Sequence, residues 1–284
     1  MTVAVTGASG QLGRLVVEAL IRRGAGPIVA IVRDPAKVAD LAERGVEVRQ
    51  ASYADAEAVE RALTGVDRLL LVSGNEFGAR VDQHATVIRA AERAGVDLLV
   101  YTSIPGAEDN PMILAEEHRG TEEVLAKAAV PHTVLRNGWY WENYAGALPA
   151  AVASGVLYGA AGTGRVAGAA RADYAEAAAV VLTTEGHAGR IYELGGDERL
   201  TYSDIAQAMS QASGAPVRYQ NLPGDDYAAA LEKAGIPAAH ARALADADVA
   251  IGTGVLDVTS GDLRKLLGRS TTPAVEVFRA ALNG

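Results

Sequence analysis

The chain contains no cysteine among its 284 residues. Disulfides, thiolate nucleophiles, iron–sulfur clusters and zinc sites built on thiolates are therefore excluded. A chain without disulfides also fits a cytosolic protein, where thiols are kept reduced.

Positive charge is scarce as well. The chain has 26 Lys and Arg against 35 Asp and Glu, which gives a formal net charge of −9. Nucleic-acid surfaces need clustered Lys and Arg, so we expect no nucleic-acid partner. A small anion is still allowed, because backbone amides and one or two arginines can bind it locally.

Long apolar runs are missing too, since none approaches the roughly 20 residues that a helix needs to cross a bilayer. The chain opens into a strand-like segment, Val3-Ala4-Val5, without a basic stretch before an apolar one. We therefore expect no signal peptide, no membrane partner and a cytoplasmic location. The histidines show no H-x-x-x-H spacing and no G-x-S-x-G motif occurs, which argues against a metal site and a serine hydrolase.

The sequence does contain a regular alternation of strand and helix patterns up to residue 136. The strand-like runs are 2–6, 28–32, 46–50, 68–72, 98–102 and 133–136. Strands separated by helical patterns of 10–15 residues predict an α/β fold with a Rossmann-type, doubly wound parallel sheet. We expect a first domain over 1–136, to which elements near 173–195 return, and a smaller C-terminal α/β lid domain over 137–284.

A glycine-rich turn follows the first strand, because residues 6–13 read TGASGQLG. Glycines at these spacings permit a tight turn, close approach of a pyrophosphate, and packing of the next helix on the sheet. The helix then presents unpaired N–H groups to the phosphates. A tight turn without a ligand is the alternative. The predicted dinucleotide site comprises Thr6, Gly7, Ala8, Ser9, Gly10, Gln11, Leu12 and Gly13.

Arg33 ends the second strand, at the position where an acidic residue would hold the adenosine ribose. A guanidinium binds a 2′-phosphate through two parallel hydrogen bonds, so Arg33 favours NADPH and makes 1–136 an NADP-binding domain. For Asp34 we expect a helix N-cap, with Pro35 at the first helical position. The alternatives are a pair with Arg33 and a contact to the ribose. The alternative for Arg33 is an ordinary solvated side chain.

The spacing GxxGxxG resembles the short-chain dehydrogenase/reductase superfamily. Its members place a Tyr and a Lys four residues apart on one helix, and a Ser at the end of the preceding strand. Here Ser103 ends the strand, but Leu114 stands in place of the Tyr and His118 in place of the Lys. We expect Leu114, His118, Thr121 and Leu125 to share the inward helix face. Without that phenol, ordinary Tyr–Lys carbonyl reduction is not expected.

The chain resembles the NmrA-like atypical short-chain dehydrogenases, and within them the bacterial NAD(P)H:quinone oxidoreductases. The resemblance runs almost end to end. It is carried by TGASGQLG (6–13), IVAIVRDPAK (28–37), LLLVSGNE (69–76), AEEH (115–118), VLRNGWYWENY (134–144), GAAGTGRVAGAARADYA (159–175), YELGGD (192–197) and YQNL (219–222). It implies NADPH as the hydride donor and a small quinone as the acceptor, without a flavin.

The same resemblance implies further site residues. Additional cofactor contacts are expected at Ser73, Gly74, Asn75, Asn137, Gly138, Trp139, Tyr140 and Arg171. His118 and Tyr140 are the expected hydrogen-bond donors to the oxygen of the reduced quinone. The alternatives are a backbone hydrogen bond for His118, aromatic packing for Trp139 and Tyr140, and an ion pair with Asp173, a predicted helix N-cap, for Arg171.

Two other functions stay open on the sequence. A redox sensor that binds NADP(H) without turnover suits the missing Tyr–Lys pair, and an epimerase-like or ether-reductase activity is a third hypothesis. The physiological quinone, one- or two-electron transfer, and a monomeric or dimeric state are also left open.

Overall fold

The computed structural model describes residues 1–283, and the chain divides by compactness into two units. The first unit contains residues 1–104, 117–136 and 174–192. The second contains residues 105–116, 137–173 and those from 193 onward. The two units are nearly equal in length, although the sequence analysis expects a smaller second domain, because residues 105–116 group with the second unit. The predicted boundary between 136 and 137 itself stays a prediction.

The strands and helices are numbered here in chain order. The strands are β1 (Val3–Thr6), β2 (Ile28–Val32), β3 (Glu47–Gln50), β4 (Arg68–Leu71), β5 (Leu98–Ser103), β6 (His132–Asn137), β7 (Val156–Gly159), β8 (Arg165–Val166), β9 (Ile191–Leu194), β10 (Leu200–Thr201) and β11 (Arg218–Asn221). The helices are α1 (Gln11–Arg22), α2 (Ala39–Glu43), α3 (Ala56–Ala62), α4 (Arg80–Ala94), α5 (Ile113–Leu125), α6 (Glu142–Ala145), α7 (Leu148–Ser154), α8 (Arg171–Thr183), α9 (Tyr202–Ser213), α10 (Gly224–Lys233), α11 (Ala238–Ile251), α12 (Asp262–Leu267) and α13 (Ala274–Asn283).

The main sheet has seven strands in the order β3-β2-β1-β4-β5-β6-β9. The pairs from β3 to β6 are all parallel. The chain winds outward from β1 through β2 and β3, then returns to the other side of β1 with β4. Ligands of such sheets bind at the carboxyl ends of the strands beside this reversal. The predicted Rossmann-type, doubly wound fold is confirmed.

The central strands have no alternation of apolar and polar residues because both faces of the sheet are covered. Every residue of β1, β2, β4 and β5 is buried. Helices on both faces of a parallel sheet require such continuous burial. The apolar runs that predicted these strands are therefore the core of the first unit.

Helix boundaries follow local chemistry. Asp34 accepts a hydrogen bond from the N–H of Ala36 at 3.1 Å, and Pro35 opens a short 3-10 helix over 35–38. The helical segment between β2 and β3 is thus divided into this turn and α2. Gly95 ends α4 in the left-handed conformation with φ 69°, which favours glycine at a helix C-cap.

The second unit contains several elements that the sequence analysis missed. Two small sheets pair β7 with β11 in parallel and β8 with β10 in antiparallel fashion. The helices α6, α7 and α12 also went unpredicted. These elements have two to seven residues, which is too short for a period to stand out. Among the described residues, no helix is long and apolar enough to span a membrane.

Candidate functional site

The glycine turn leaves one end of α1 open to a ligand. Gly7 has φ +58°, a left-handed conformation that favours glycine. Gly10 is the N-cap residue of α1, and no side chain caps the N–H groups of the first helical turn. Uncapped N–H groups at the start of a helix bind phosphate oxygens well. The turn between β1 and α1 is therefore built to hold an anion.

The second and third glycines have different roles. A Cβ on Gly13 would collide with the backbone oxygen of Gly7, so this glycine lets α1 pack against the turn. A Cβ on Gly10 would have a single neighbour within 4 Å, the Gly7 oxygen at 3.2 Å, and Gly10 is exposed. The face of Gly10 is therefore open to a bound molecule.

Tyr53 hydrogen-bonds to the first residue of the glycine turn, a role that the sequence did not predict. Its hydroxyl lies 2.6 Å from Thr6 Oγ1 and 2.8 Å from the Val72 oxygen. A Cβ on Gly7 would lie 3.5 Å from that hydroxyl, and one on Gly74 would lie 3.8 Å from the Tyr53 ring. Tyr53 thus brings the glycine turn together with the loop that follows β4.

Arg33 directly follows β2, as predicted, but its guanidinium is paired with Glu76. Its Nη1 lies 2.8 Å from Oε1 of Glu76, whose other oxygen accepts from the Gln83 amide at 2.7 Å. Asp34 does not pair with Arg33, because its carboxylate caps the turn at Ala36. An incoming phosphate would compete with Glu76 for the guanidinium.

The loop after β4 is held by two buried side chains. The Ser73 N–H donates to Thr102 Oγ1 at 2.9 Å, and the Gly74 N–H donates to His84 Nε2 at 3.0 Å. Asn75 is exposed. The first unit therefore brings the predicted cofactor residues 6–13, 33 and 73–75 together at the carboxyl ends of β1, β2 and β4.

His84 is neutral and has a defined tautomer. It is fully buried, and burial lowers its pKa to about 3. Since its Nε2 accepts from a backbone N–H, its single proton lies on Nδ1, 2.9 Å from Thr121 Oγ1. The Thr121 hydroxyl in turn donates to the Glu117 carbonyl at 2.9 Å.

The inward face of α5 is partly as predicted. Thr121 and Leu125 are buried, whereas Leu114 and His118 are half-buried. His118 Nδ1 lies 2.8 Å from the hydroxyl of Tyr101 and does not bind the backbone. Burial lowers the pKa of His118 to about 3. A phenol is thus present beside the helix, on β5, at a position that the sequence analysis did not consider.

The Ser103 hydroxyl is engaged in a side-chain hydrogen bond. Its hydroxyl hydrogen-bonds to Glu122, and the same carboxylate pairs with Arg136 Nη2 at 2.7 Å. All three side chains are at least half-buried. Ser103 therefore stabilises the first unit instead of supplying the free serine of the superfamily.

The second unit brings together residues 137–140 and 171. Asn137 Nδ2 lies 3.5 Å from the Tyr140 hydroxyl, and burial raises the pKa of Tyr140. Asn137 Oδ1 is buried and has no hydrogen-bond partner among the described residues. Gly138 donates its N–H to the last carbonyl of β9, and the Trp139 carbonyl accepts from Ala169. A buried amide oxygen of this kind can accept a hydrogen bond from a ligand or from water.

Arg171 does not pair with Asp173. Its guanidinium lies 4.9 Å from the centroid of the Tyr140 ring, a cation–π contact. The predicted N-cap at Asp173 is wrong, because α8 already begins at Arg171. The buried Asp173 carboxylate accepts from Arg269 at 2.8 Å and from the Thr272 N–H at 2.7 Å, both within the second unit.

A buried tyrosine and carboxylate cluster in the second unit was also missed. The Tyr202 hydroxyl donates to Asp248, which also accepts from the Ala160 N–H at 2.8 Å. Burial raises the pKa of Asp248 to about 6. Tyr144 extends the cluster at 3.3 Å from the Tyr202 hydroxyl.

Comparison with known proteins gives matches over nearly the whole chain. The model of the NmrA-like family matches residues 1–258. Quinone oxidoreductase 2 of Escherichia coli K12 is 49% identical over 275 residues, which are 96% of each chain. The crystal structure of the NADPH-dependent quinone oxidoreductase from E. coli in complex with NADPH superposes with a TM-score of 0.95 at 48% identity, over 99% of this chain and all of that one. Triphenylmethane reductase of Citrobacter sp. is similar at a TM-score of 0.94 and 38% identity, over all of both chains.

Proposed function

Because this chain belongs to the NmrA-like family, we propose that it is an NADPH-dependent quinone oxidoreductase that transfers hydride directly to a small quinone without a flavin. The proposal is carried by one observation above all. The chain is 49% identical to E. coli quinone oxidoreductase 2 over 96% of both chains. The glycine turn and its open helix end provide the chemistry that a dinucleotide requires.

The first unit supplies the proposed contacts to the phosphates and adenosine. The pyrophosphate would lie on the N–H groups at the start of α1, against the open face of Gly10. Arg33 would bind the 2′-phosphate with its guanidinium once Glu76 releases it. Ser73, Gly74 and Asn75 would flank the adenosine and the pyrophosphate.

The second unit supplies the proposed contacts at the nicotinamide end. The unpartnered Oδ1 of Asn137 suits the N–H of a carboxamide or a ribose hydroxyl. Gly138, Trp139 and Tyr140 follow it along the chain. Arg171, stacked on Tyr140, adds a positive charge that would favour an anionic group.

His118 and Tyr140 are the proposed hydrogen-bond donors to the quinone oxygen. NADPH, when bound, supplies the hydride that reduces the quinone. The hydroquinone anion that forms is weakly basic, so a neutral donor suffices to stabilise it. Burial lowers the pKa of His118 to about 3 and raises that of Tyr140, so both groups are neutral near pH 7. They would donate hydrogen bonds, while water supplies the proton.

The proposal is tested by following NADPH absorbance with a panel of small quinones. We expect quinone-dependent oxidation of NADPH, and none with Gly10→Val, which should fold without binding the cofactor. Simple aliphatic ketones and aldehydes should be poor substrates, because their alkoxides are strongly basic and find no acid. Tight NADPH binding without turnover of any quinone would contradict the proposal and favour a redox sensor. Cytoplasmic location stays a prediction, based on the lack of cysteine.

A further inference from the structure

A buried phenol stands directly behind the proposed donor His118. Tyr101 lies in the middle of β5, and its side chain has no exposed surface. Its hydroxyl is 2.8 Å from His118 Nδ1, and the two ring centroids are 6.0 Å apart. Among the described residues no hydrogen bond reaches the other ring nitrogen, Nε2, and His118 is only half-buried. The ring therefore has one nitrogen bound to the core and one available.

Both partners are neutral at ordinary pH. Burial raises the pKa of Tyr101, so the phenol keeps its proton. Burial and the nearby positive charge of Arg80 lower the pKa of His118, so the imidazole carries one proton on one of two nitrogens. The hydrogen bond between the two rings decides which nitrogen that is.

Neighbouring hydrogen bonds constrain the direction of this bond. The Thr121 hydroxyl receives the proton of His84 Nδ1 and donates its own to the Glu117 carbonyl. Thr121 therefore has no proton to give to the Tyr101 oxygen. A buried tyrosine hydroxyl requires an acceptor, and two lie beside that of Tyr101. Thr121 Oγ1 already accepts from His84, whereas His118 Nδ1, at 2.8 Å, offers the lone pair of an imidazole nitrogen, which is the stronger acceptor.

We propose that Tyr101 is a positioning residue, whose hydroxyl donates to Nδ1 of His118 and so holds the imidazole proton on Nε2, where it can reach the quinone oxygen. The inference rests on the proposed function. Hydride transfer, with its two electrons, converts the quinone to a hydroquinone monoanion, and one proton from water completes the hydroquinone. The Nε2 proton stays on His118 throughout and stabilises the oxygen by a hydrogen bond.

Tyr101→Phe removes the hydroxyl and keeps the ring that packs in the core. We expect kcat for quinone reduction to fall about 2- to 10-fold, which is the loss of one neutral hydrogen bond and no more than the loss in His118→Ala. The KM for NADPH should stay unchanged, since Tyr101 does not contact the glycine turn. In a His118→Ala background the same substitution should have no further effect, because Tyr101 acts only through His118.

A second tyrosine–histidine pair provides a matched control. The Tyr192 hydroxyl also lies 2.8 Å from a histidine Nδ1, that of His187. His187 lines a cavity together with Arg68 and Leu98, which begin β4 and β5. The cavity therefore lies at the amino ends of these strands, whereas the glycine turn follows the carboxyl end of β1. Tyr192→Phe should leave kcat unchanged. A general loss of packing would instead make the effects of Tyr101→Phe and His118→Ala additive, and that result would overturn the proposal.

The tautomer can be read without any effect on activity, by nitrogen NMR of protein with 15N-labelled histidine. His118 is identified among the five histidines by the signal that disappears in His118→Ala. We expect its proton on Nε2 in the wild-type protein and a mixture of tautomers in Tyr101→Phe. A proton on Nδ1 of His118 in wild-type protein that reduces quinones would overturn the positioning role alone. Wild-type protein that reduces no quinone would overturn the proposed function, whichever tautomer is found.

Discussion

The pairing of Arg33 with Glu76 leads to a quantitative prediction of cofactor preference. A hydrogen bond to a charged group contributes about 1.5–3 kcal/mol when its partner is removed. Before NADPH binds, however, Arg33 is already paired with Glu76 at 2.8 Å, with 69% and 49% of the two side chains exposed. Such an exposed pair contributes about 0.2–1 kcal/mol, and it is lost when the phosphate takes over the guanidinium.

The difference between these terms gives the expected effect of Arg33→Ala. NADPH binding should weaken by about 0.5–2.8 kcal/mol, so the Kd should rise about 2- to 110-fold. Glu76→Gln removes the carboxylate that competes with the phosphate but keeps Arg33. NADPH binding should therefore strengthen by about 0.2–1 kcal/mol, so the Kd should fall about 1.4- to 5-fold. NADH lacks the 2′-phosphate, and its affinity should change little in either variant.

Calorimetric titration of both cofactors at one ionic strength measures these effects. Arg61→Ala is a matched control, because Arg61 is equally exposed and forms a surface pair with Glu57 at 3.6 Å. That variant should bind NADPH and NADH as the wild type does. Equal losses of NADPH and NADH affinity in Arg33→Ala would refute recognition of the phosphate by Arg33. Weaker NADPH binding in Glu76→Gln would refute the competition.

Three further predictions follow from the two units. Gly10→Val should abolish binding of both cofactors with little change in the melting temperature. Gly13→Ala should lower the melting temperature, because its Cβ would collide with the Gly7 backbone. The reverse pattern of binding and stability would contradict the roles assigned to the two glycines. His118→Ala should lower kcat only about 10-fold, and a loss of 100- to 10,000-fold would indicate a general acid instead. Burial raises the pKa of Asp248 in the folded protein to about 6, against a reference value of 3.8. The free energy of unfolding, relative to that of Asp248→Asn, should therefore fall as the pH rises from about 4 to about 6. Denaturant titrations in which the difference in unfolding free energy between the two proteins does not change with pH would contradict this.

The parts of the fold that repeat a strong pattern could be predicted from the sequence. Buried parallel strands such as β4 and β5 read as continuous apolar runs, and glycines at 7, 10 and 13 mark the turn. The second unit carried a weaker signal. Its strands β8 and β10 have two residues each, and their position depends on tertiary contacts that no short segment encodes.

The candidate site shows the same division. Arg33 could be found because its place at the end of β2 has a chemical meaning in this fold. Glu76, Tyr53 and Tyr101 could not, because each acts through a partner distant in sequence: Arg33, Thr6 and His118, respectively. The spacing typical of the superfamily predicts a phenol on α5, whereas the phenol that contacts His118 lies on β5.

The proposed N-cap at Asp173 failed for a related reason. An acidic residue near the start of a helix fits the local sequence pattern both as an N-cap and as a residue of the first turn. Which of the two positions it takes depends on where the preceding chain enters the helix. Here α8 starts at Arg171, so Asp173 lies inside the first turn and faces Arg269 and Thr272. Such boundaries shift by one or two residues with little change in local sequence preference.

Direct hydride transfer is tested most directly by single-turnover reduction of a quinone with NADPH deuterated at C4, using protein whose absorption spectrum is recorded first. The prediction is a spectrum without a flavin band, with NADPH oxidation and quinone reduction proceeding at one common rate that deuterium slows. The contradicting result is a bound flavin whose absorption is bleached by NADPH and restored by the quinone, so that the two substrates react in separate steps.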